Sequence, residues 1–293
     1  MKKMALAATF TALFIFTTQA AALFTYTPKA DNKVGLYLGG QIWHSEASGT
    51  FGEKNTLIDF NLKKEQQINY FVAVEHPFPL LPNVRISSTA LDTTGKTTST
   101  QESFSFDDGI FHIDVDSDTD TDARFKVSYV DYTLYYQLFD NGLFSFDLGF
   151  TARDLDGAIT ETETTATVTT SNDGALDAEE HPEHNHIITE TTKTVTTDKI
   201  KTNEIVPMLY VATNISLPLT GLSVFAQGDF LLIDDHSHYD YQVGLSYDLV
   251  DSFVMDFNLI VGYKAVKMEF EDLDDLYTDL EFKGAFVGVI AHF

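Results

Sequence analysis

"HYDYQVGLSYDLVDSFVMDFNLIVGYK", His238 to Lys264, sets apolar against polar residues at every second position, twice in succession. Tyr239, Tyr241, Val243, Leu245, Tyr247 and Leu249 fall on one side, and after the short turn Val250-Asp251-Ser252 the pattern resumes with Phe253, Met255, Phe257, Leu259, Val261 and Tyr263. A helix would need steps of three and four residues, so steps of two predict strands. Two such runs joined by a short turn predict an antiparallel hairpin with one apolar and one polar face. What the apolar face meets, a protein core or lipid, decides what kind of molecule this is.

The same alternation recurs along most of the chain. Ile68, Tyr70, Val72 and Val74 alternate with Asn69 and Glu75; Val84, Ile86 and Ala90 with Arg85, Ser87 and Thr89; Val130, Tyr132, Leu134 and Tyr136 with Asp131, Thr133 and Gln137. Counting a first strand around Val34 to Ile42 and a last from Leu280 to Phe293, ten strands are expected, an even number as in single-chain bacterial barrels. Eight or twelve follow if Asp92 to Arg124 hides a hairpin of its own, built from Ser103 to Phe106 and Ile110 to Val115. Connections alternate in length: short at Pro77 to Asn83, Asp140 to Gly142, Pro218 to Gly221 and Val250 to Ser252, longer at Ala47 to Gln67, Asp92 to Arg124, Asp154 to Glu204, Ile233 to His238 and Lys267 to Asp279. Sorting by parity is the signature of a transmembrane antiparallel β-barrel, with short periplasmic turns and long extracellular loops. The apolar faces are therefore expected to meet lipid, with Tyr136, Trp43 and the strand tyrosines near the interfaces.

The N-terminus agrees with this address. Met1-Lys2-Lys3, the apolar run Met4 to Phe16 and the small residues Ala20 to Ala22 form a secretory signal peptide, expected over residues 1–22, with the barrel over 23–293. No later stretch has the apolar length of a membrane helix, and the mean hydropathy is −0.07. The absence of cysteine means that an exported chain must be held without disulfides, which closure of a barrel accomplishes. The net charge of −26, from 18 basic and 44 acidic residues, excludes a nucleic-acid partner. The partners expected are outer-membrane lipid and lipopolysaccharide, and the machinery that assembles outer-membrane proteins, for which the terminal strand ending in Phe293 resembles the recognised signal.

Three stretches carry a family resemblance. "YLGGQIWHSEASGTFG" with Gly39, Gly40 and Trp43, "VAVEHPFPLLPNVRI" with His76, Pro77, Pro79, Pro82 and Asn83, and "DYTLYYQLFDNGLFSFDLGFTARDLDG" together resemble the proteobacterial outer-membrane β-barrel family named for its Gly-Gly motif. The resemblance implies the fold and the location in the cell outer membrane of a Gram-negative bacterium, and no reaction. Within the expected extracellular loop 154–204, the Thr- and His-containing insertion from Ala158 to Lys201 looks longer than the loop that the resemblance implies.

Several constellations suggest chemistry. Asp114, Asp116, Asp118, Asp120 and Asp122 share one face if extended, a row that weakly held Ca²⁺ or another divalent cation would relieve, although Thr119 and Phe125 depart from an EF-hand and a wet acidic run is the simpler reading. His181, His184 and His186 in "EEHPEHNH" suggest a weak metal site, opposed by the helix-breaking Pro182; the flanking Thr-rich segments read as a two-stranded ribbon that extends the wall outward. Asp114 and Asp116 on the second outer loop with Asp234, Asp235, His236 and His238 on the fourth match in kind the carboxylate and Asp/His pairs of omptin-type proteases, without the wider omptin pattern. Inside the barrel, Arg85, Asp131, Asp147, Asp229, Asp248, Asp256 and Lys264, with Arg153, are expected to form a polar network filling a narrow lumen that is acidic on balance. The reading that follows is a barrel with no catalytic activity and no resident cofactor, serving a structural or surface-interaction role. A narrow cation-preferring channel is the alternative, and a protease the third.

Overall fold

The structure is a computed structural model that describes residues 35–52, 58–78, 80–107, 112–173, 186–231, 238–251, 255–273 and 276–293. The signal-peptide expectation lies outside them. The described chain is all β: β1 (Gly35–Gly52), β2 (Ile58–Asp59), β3 (Glu65–Glu75), β4 (Asn83–Asp107), β5 (His112–Asp140), β6 (Phe144–Asp173), β7 (His186–Leu217), β8 (Leu222–Phe230), β9 (His238–Asp251), β10 (Asp256–Leu273) and β11 (Leu276–His292). Every neighbouring pair is antiparallel, and β11 returns to β1 from Tyr37↔His292 to Gly52↔Tyr277, closing the ring. The two-residue β2 pairs only with β1, so ten strands form the wall. Segment 104–107 pairs with 112–115, past a shift of register between Glu102 and Phe104, as the continuation of β4 and β5, so it adds no further stave.

Outward residues divide the barrel into two zones. Up to a border at His44, Gln66, Asp92, Ser128, Asp154, Asn203, Lys267 and Lys283 the outer face is apolar and open: Ile68 is 58%, Leu134 51% and Val287 49% exposed. That belt takes about nine residues of each strand, the length a tilted strand needs to cross a bilayer, and closure satisfies every backbone group in the wall. Beyond the border the outer face turns charged and the inner face turns apolar. Phe125, Val127, Leu155, Ile159, Val266, Met268, Leu280 and Phe282 are buried there with Trp43, Ala47 and Leu91. The wall is thus lipid-facing below and a water-soluble barrel with its own core above. The physical reason is a change of solvent: the apolar side of each strand faces whichever direction excludes water.

Trp43 corrects the interfacial expectation. It is 0% exposed and lies inside, because Gln41, Trp43, Ser45 and Ala47 share the inward parity of β1 while Ile42 faces out. Tyr136 does lie at the edge of the belt beside the short turns, its hydroxyl donating to the Leu80 carbonyl at 3.3 Å.

Glycine and aromatic residues form the inner wall in pairs. Gly39 stands opposite Phe71, Gly149 opposite Tyr135, Gly244 opposite Phe225 and Gly262 opposite Phe286. A Cβ on Gly39 would lie 2.1 Å from the Phe71 ring, over whose other side Arg85 stacks at 3.5 Å. A ring laid across a cross-strand glycine lets a strongly curved wall keep a filled interior.

The short turns explain their own sequences. In the Pro-rich turn, the Phe78 N–H donates to His76 Nδ1 at 3.2 Å, which leaves Nε2 to donate to the Pro82 carbonyl at 3.1 Å, while the His76 N–H donates to Asn83 Oδ1. In the next turn Asn141 Oδ1 accepts from the Leu143 and Phe144 N–H groups and Gly142 takes φ 80°, which glycine adopts freely.

On the other side of the membrane β4 to β7 run far past the border. β7 has 32 residues, of which its apolar belt uses about ten. At roughly 3.3 Å per residue the remaining 22 or so residues extend on the order of 70 Å. Segment 154–204 is therefore mostly strand, with Asp154↔Ile205 through Asp173↔His186 in unbroken register. This bears out the ribbon and corrects the loop boundary. The hydrophobic alternation stops because both faces of the ribbon meet water, whereas the Thr content keeps the β preference.

Candidate functional site: the barrel interior and the outer ribbon

At the level of the membrane border the interior is crossed by one buried ionic network. Arg153 on β6, 0% exposed, donates from Nε to Asp131 Oδ1 at 2.7 Å and from Nη2 to Asp131 Oδ2 at 2.9 Å, a two-bond fork onto β5. The same Nη2 reaches Asp240 Oδ2 at 3.1 Å, and Nη1 donates to His238 Nε2 at 2.8 Å, tying β6 to β9 across the lumen. Since arginine offers only donors, His238 Nε2 is the acceptor in that contact. The guanidinium lies 3.8 Å over the Tyr129 ring, whose hydroxyl donates to Asp240 at 2.8 Å. Lys264 on β10 completes the set by pairing with Asp240.

Below this network, toward the short turns, Gln41 Nε2 donates to Gln242 Oε1 across the barrel at 3.0 Å, Thr133 and Thr151 share a hydroxyl contact at 2.8 Å, and Thr151 donates to Asp229. A small polar cavity lined by Asn69, Arg85, Ser87, Gln227, Asp229 and Lys264 has room for about one water molecule. Three carboxylates, Asp131, Asp229 and Asp240, face three cations, Arg85, Arg153 and Lys264, around that space. The charges are balanced at this level, whereas Asp147 and Glu75 add carboxylates deeper in the interior.

Of the residues expected to line the lumen, Asp131, Asp229, Arg85 and Lys264 meet here. Asp147 lies deeper on β6, in the Glu75 and Tyr135 region, where Tyr135 donates to Glu75 at 2.8 Å. Asp248 and Asp256 do not join the network. Asp248 is exposed at the short-turn rim beside Asn258, and Asp256 sits 3.3 Å from His292 at the same end. Both share the inward parity, but they lie at the end of the barrel wall, eight residues along their strands from Asp240 and Lys264. Asp240, His238 and Tyr129 are the members that pattern reading did not assign to the network. Their inward parity was visible in the sequence, and the cross-barrel pairing was not.

Above the network the apolar core closes the mouth. Phe60, carried between β2 and β3, is 0% exposed within that core. Its segment is clamped onto β4: Lys96 N–H donates to the Phe60 carbonyl at 2.6 Å, Lys63 N–H to the Thr94 carbonyl at 2.9 Å, and Thr93 Oγ1 to the Lys63 carbonyl at 2.9 Å. Gly95 permits the approach, since a Cβ there would lie 2.4 Å from the Phe60 carbonyl oxygen.

The five aspartates Asp114 to Asp122 occupy the outward face of β5, in line and not converging. Asp120 is paired, accepting from Thr98 at 2.7 Å and Lys96 at 3.0 Å; these two, the hydroxyl first, hold its carboxyl below the usual carboxylate range. Among the described residues no group of three or more His, Asp or Glu side chains converges on a metal position. His181 and His184 lie outside the described residues, and His186 opens β7 opposite Asp173. Asp234, Asp235 and His236 also lie outside them. His238 is inside the barrel, while Asp114 and Asp116 lie outward on β5, some fifteen residues beyond Asp131 and on the order of 50 Å along the strand. Among the described residues of the protease-like set, His238 is therefore not brought together with Asp114 and Asp116.

No family model matches the chain, and no curated protein matches it. Solved structures do. Ail, the attachment invasion locus protein of Yersinia pestis, solved in complex with the heparin analogue sucrose octasulfate, aligns over 89% of this chain and 99% of its own at 11% identity and a TM-score of 0.27. The translocator domain of the autotransporter NalP from Neisseria meningitidis aligns over 98% and 96% at 8% identity and a TM-score of 0.32. A FadL homologue of Pseudomonas aeruginosa aligns over 89% and 90% at 8% identity and a TM-score of 0.30. Likenesses of this degree transfer no ligand and no activity to the present chain.

Proposed function

We propose that the chain is an outer-membrane barrel of a Gram-negative bacterium that acts as a closed, non-catalytic support for its outer ribbon, with a role in surface interaction. One observation carries this reading: the lumen is obstructed at two successive levels, by the Arg153 network and then by the apolar core with Phe60. Ten strands leave a bore that side chains can fill, unlike the wide lumen of a porin. A wall so filled is stiff, and the ribbon that it carries projects well beyond the membrane. Outer-membrane lipid and lipopolysaccharide surround the belt in this reading, the assembly machinery acts on the strand that ends in Phe293, and kinship with the Gly-Gly family rests on the three stretches quoted above. Divalent cations bound weakly along the Asp114 to Asp122 row belong to the same reading.

Planar-bilayer recording tests it. Refolded protein without residues 1–22 is expected to insert silently at symmetric salt. Discrete cation-selective steps from the unaltered protein would overturn the closed-barrel reading in favour of the channel.

A further inference from the structure

Among the described residues, β7 has a partner on its β8 side only from Leu209 onward, whereas its other side is paired with β6 throughout. Residues 186–204 thus present an open strand edge some nineteen residues long. Thr189 to Thr197 are all exposed, with Val195 at 59%. The segment is rich in Thr, Ile and Val and contains no proline before Pro207, so the usual devices that blunt an edge are absent except for its lysines. An open edge of this kind is completed by a further strand.

The register of charges selects the occupant. Laid antiparallel against itself about Val195, the edge pairs over its whole length from His186 to Glu204. Val195 then meets Val195, Thr194 meets Thr196, Lys193 meets Thr197, Thr191 meets Lys199 and Thr189 meets Lys201. No like charges face each other. Centring one residue later sets Lys193 against Lys199, and one residue earlier sets Glu190 against Asp198, both unfavourable. Two-fold antiparallel pairing also fixes the geometry of the pair. β7 runs toward its own membrane, so two copies in one membrane would present parallel edges, and antiparallel edges belong to copies in two facing membranes.

We propose that the β7 edge of one copy pairs with the β7 edge of a second copy in an apposed membrane, joining two four-stranded ribbons into one continuous sheet and two surfaces to each other. This rests on the outward placement of the ribbon in the function proposed above.

The chain has no cysteine, which makes the test direct. In an antiparallel pair directly opposed Cα atoms lie about 4.5–5.5 Å apart, within disulfide range. Val195→Cys in mild oxidant should give a covalent dimer in detergent micelles, while Lys193→Cys, facing threonine, should not. Vesicles carrying the unaltered protein should clump, and Val195→Lys, which sets two lysines face to face, should abolish clumping with the barrel still folded by heat-dependent mobility on gels. A folded Val195→Cys protein that stays monomeric overturns the proposal. Dimers in micelles without clumping of vesicles would leave the edge pairing standing and overturn the outward placement of the ribbon.

Discussion

Arg153 shows what a single residue contributes. It sits with no exposed surface among Asp131, Asp240 and His238, linking β5, β6 and β9 through one guanidinium. Buried charges are tolerable only when paired, and removing one partner leaves the others stranded. Arg153→Met should therefore lower stability by roughly 3–5 kcal/mol, measured by chemical unfolding in micelles. A loss under about 1 kcal/mol would mean that solvent reaches Asp131 and Asp240 and that the network is no seal. Lysine is no substitute at this position, since it cannot form the two-bond fork onto Asp131.

At the scale of elements, β4 to β7 join two structures with different rules. Inside the border they are staves whose outward residues are apolar; beyond it they first enclose the apolar core and then continue as a free-standing sheet of mostly Thr, Ser and charged residues. Cross-strand contacts there, such as Thr162 with Thr197 at 3.4 Å and Lys96 with Asp120 at 3.0 Å, are local and exposed. They add little to the barrel below. Deleting residues 163–196 and joining Thr162 to Thr197, which face each other across β6 and β7, by an Asn-Gly turn keeps Ile159 and the apolar core. The shortened protein should fold with an unchanged unfolding midpoint, as read by heat-dependent gel mobility. A protein that no longer folds would show that the ribbon is part of the folding unit.

For the whole molecule, closure is the decisive step. Phe293 N–H donates to the Leu36 carbonyl at 2.9 Å and Leu36 N–H to the Phe293 carbonyl at 3.1 Å, the last rungs between the two ends of the described chain. A barrel with an unmade seam exposes two strand edges in lipid, where no water can satisfy them. Removal of Phe293 should slow refolding into vesicles severalfold while leaving the structure of the refolded fraction unchanged; equal rates would show that the seam closes without its terminal rung.

Much of this was legible in the chain alone. Strand character, the number of staves, the sides facing lipid and lumen, and the short turns all follow from steps of two and from Pro, Asn and Gly at the reversals, because these are local consequences of backbone geometry. The inward parity of Asp131, Asp229 and Lys264 was legible for the same reason. The extent of the ribbon was less so, since a strand wet on both faces loses the alternation that marks it. Only the tertiary structure decided that Trp43 belongs inside, that Asp240 and His238 meet Arg153 from the far wall, and that Phe60 seals the mouth. Each of these depends on which strands face one another across a closed ring, a long-range condition that no local pattern of residues encodes.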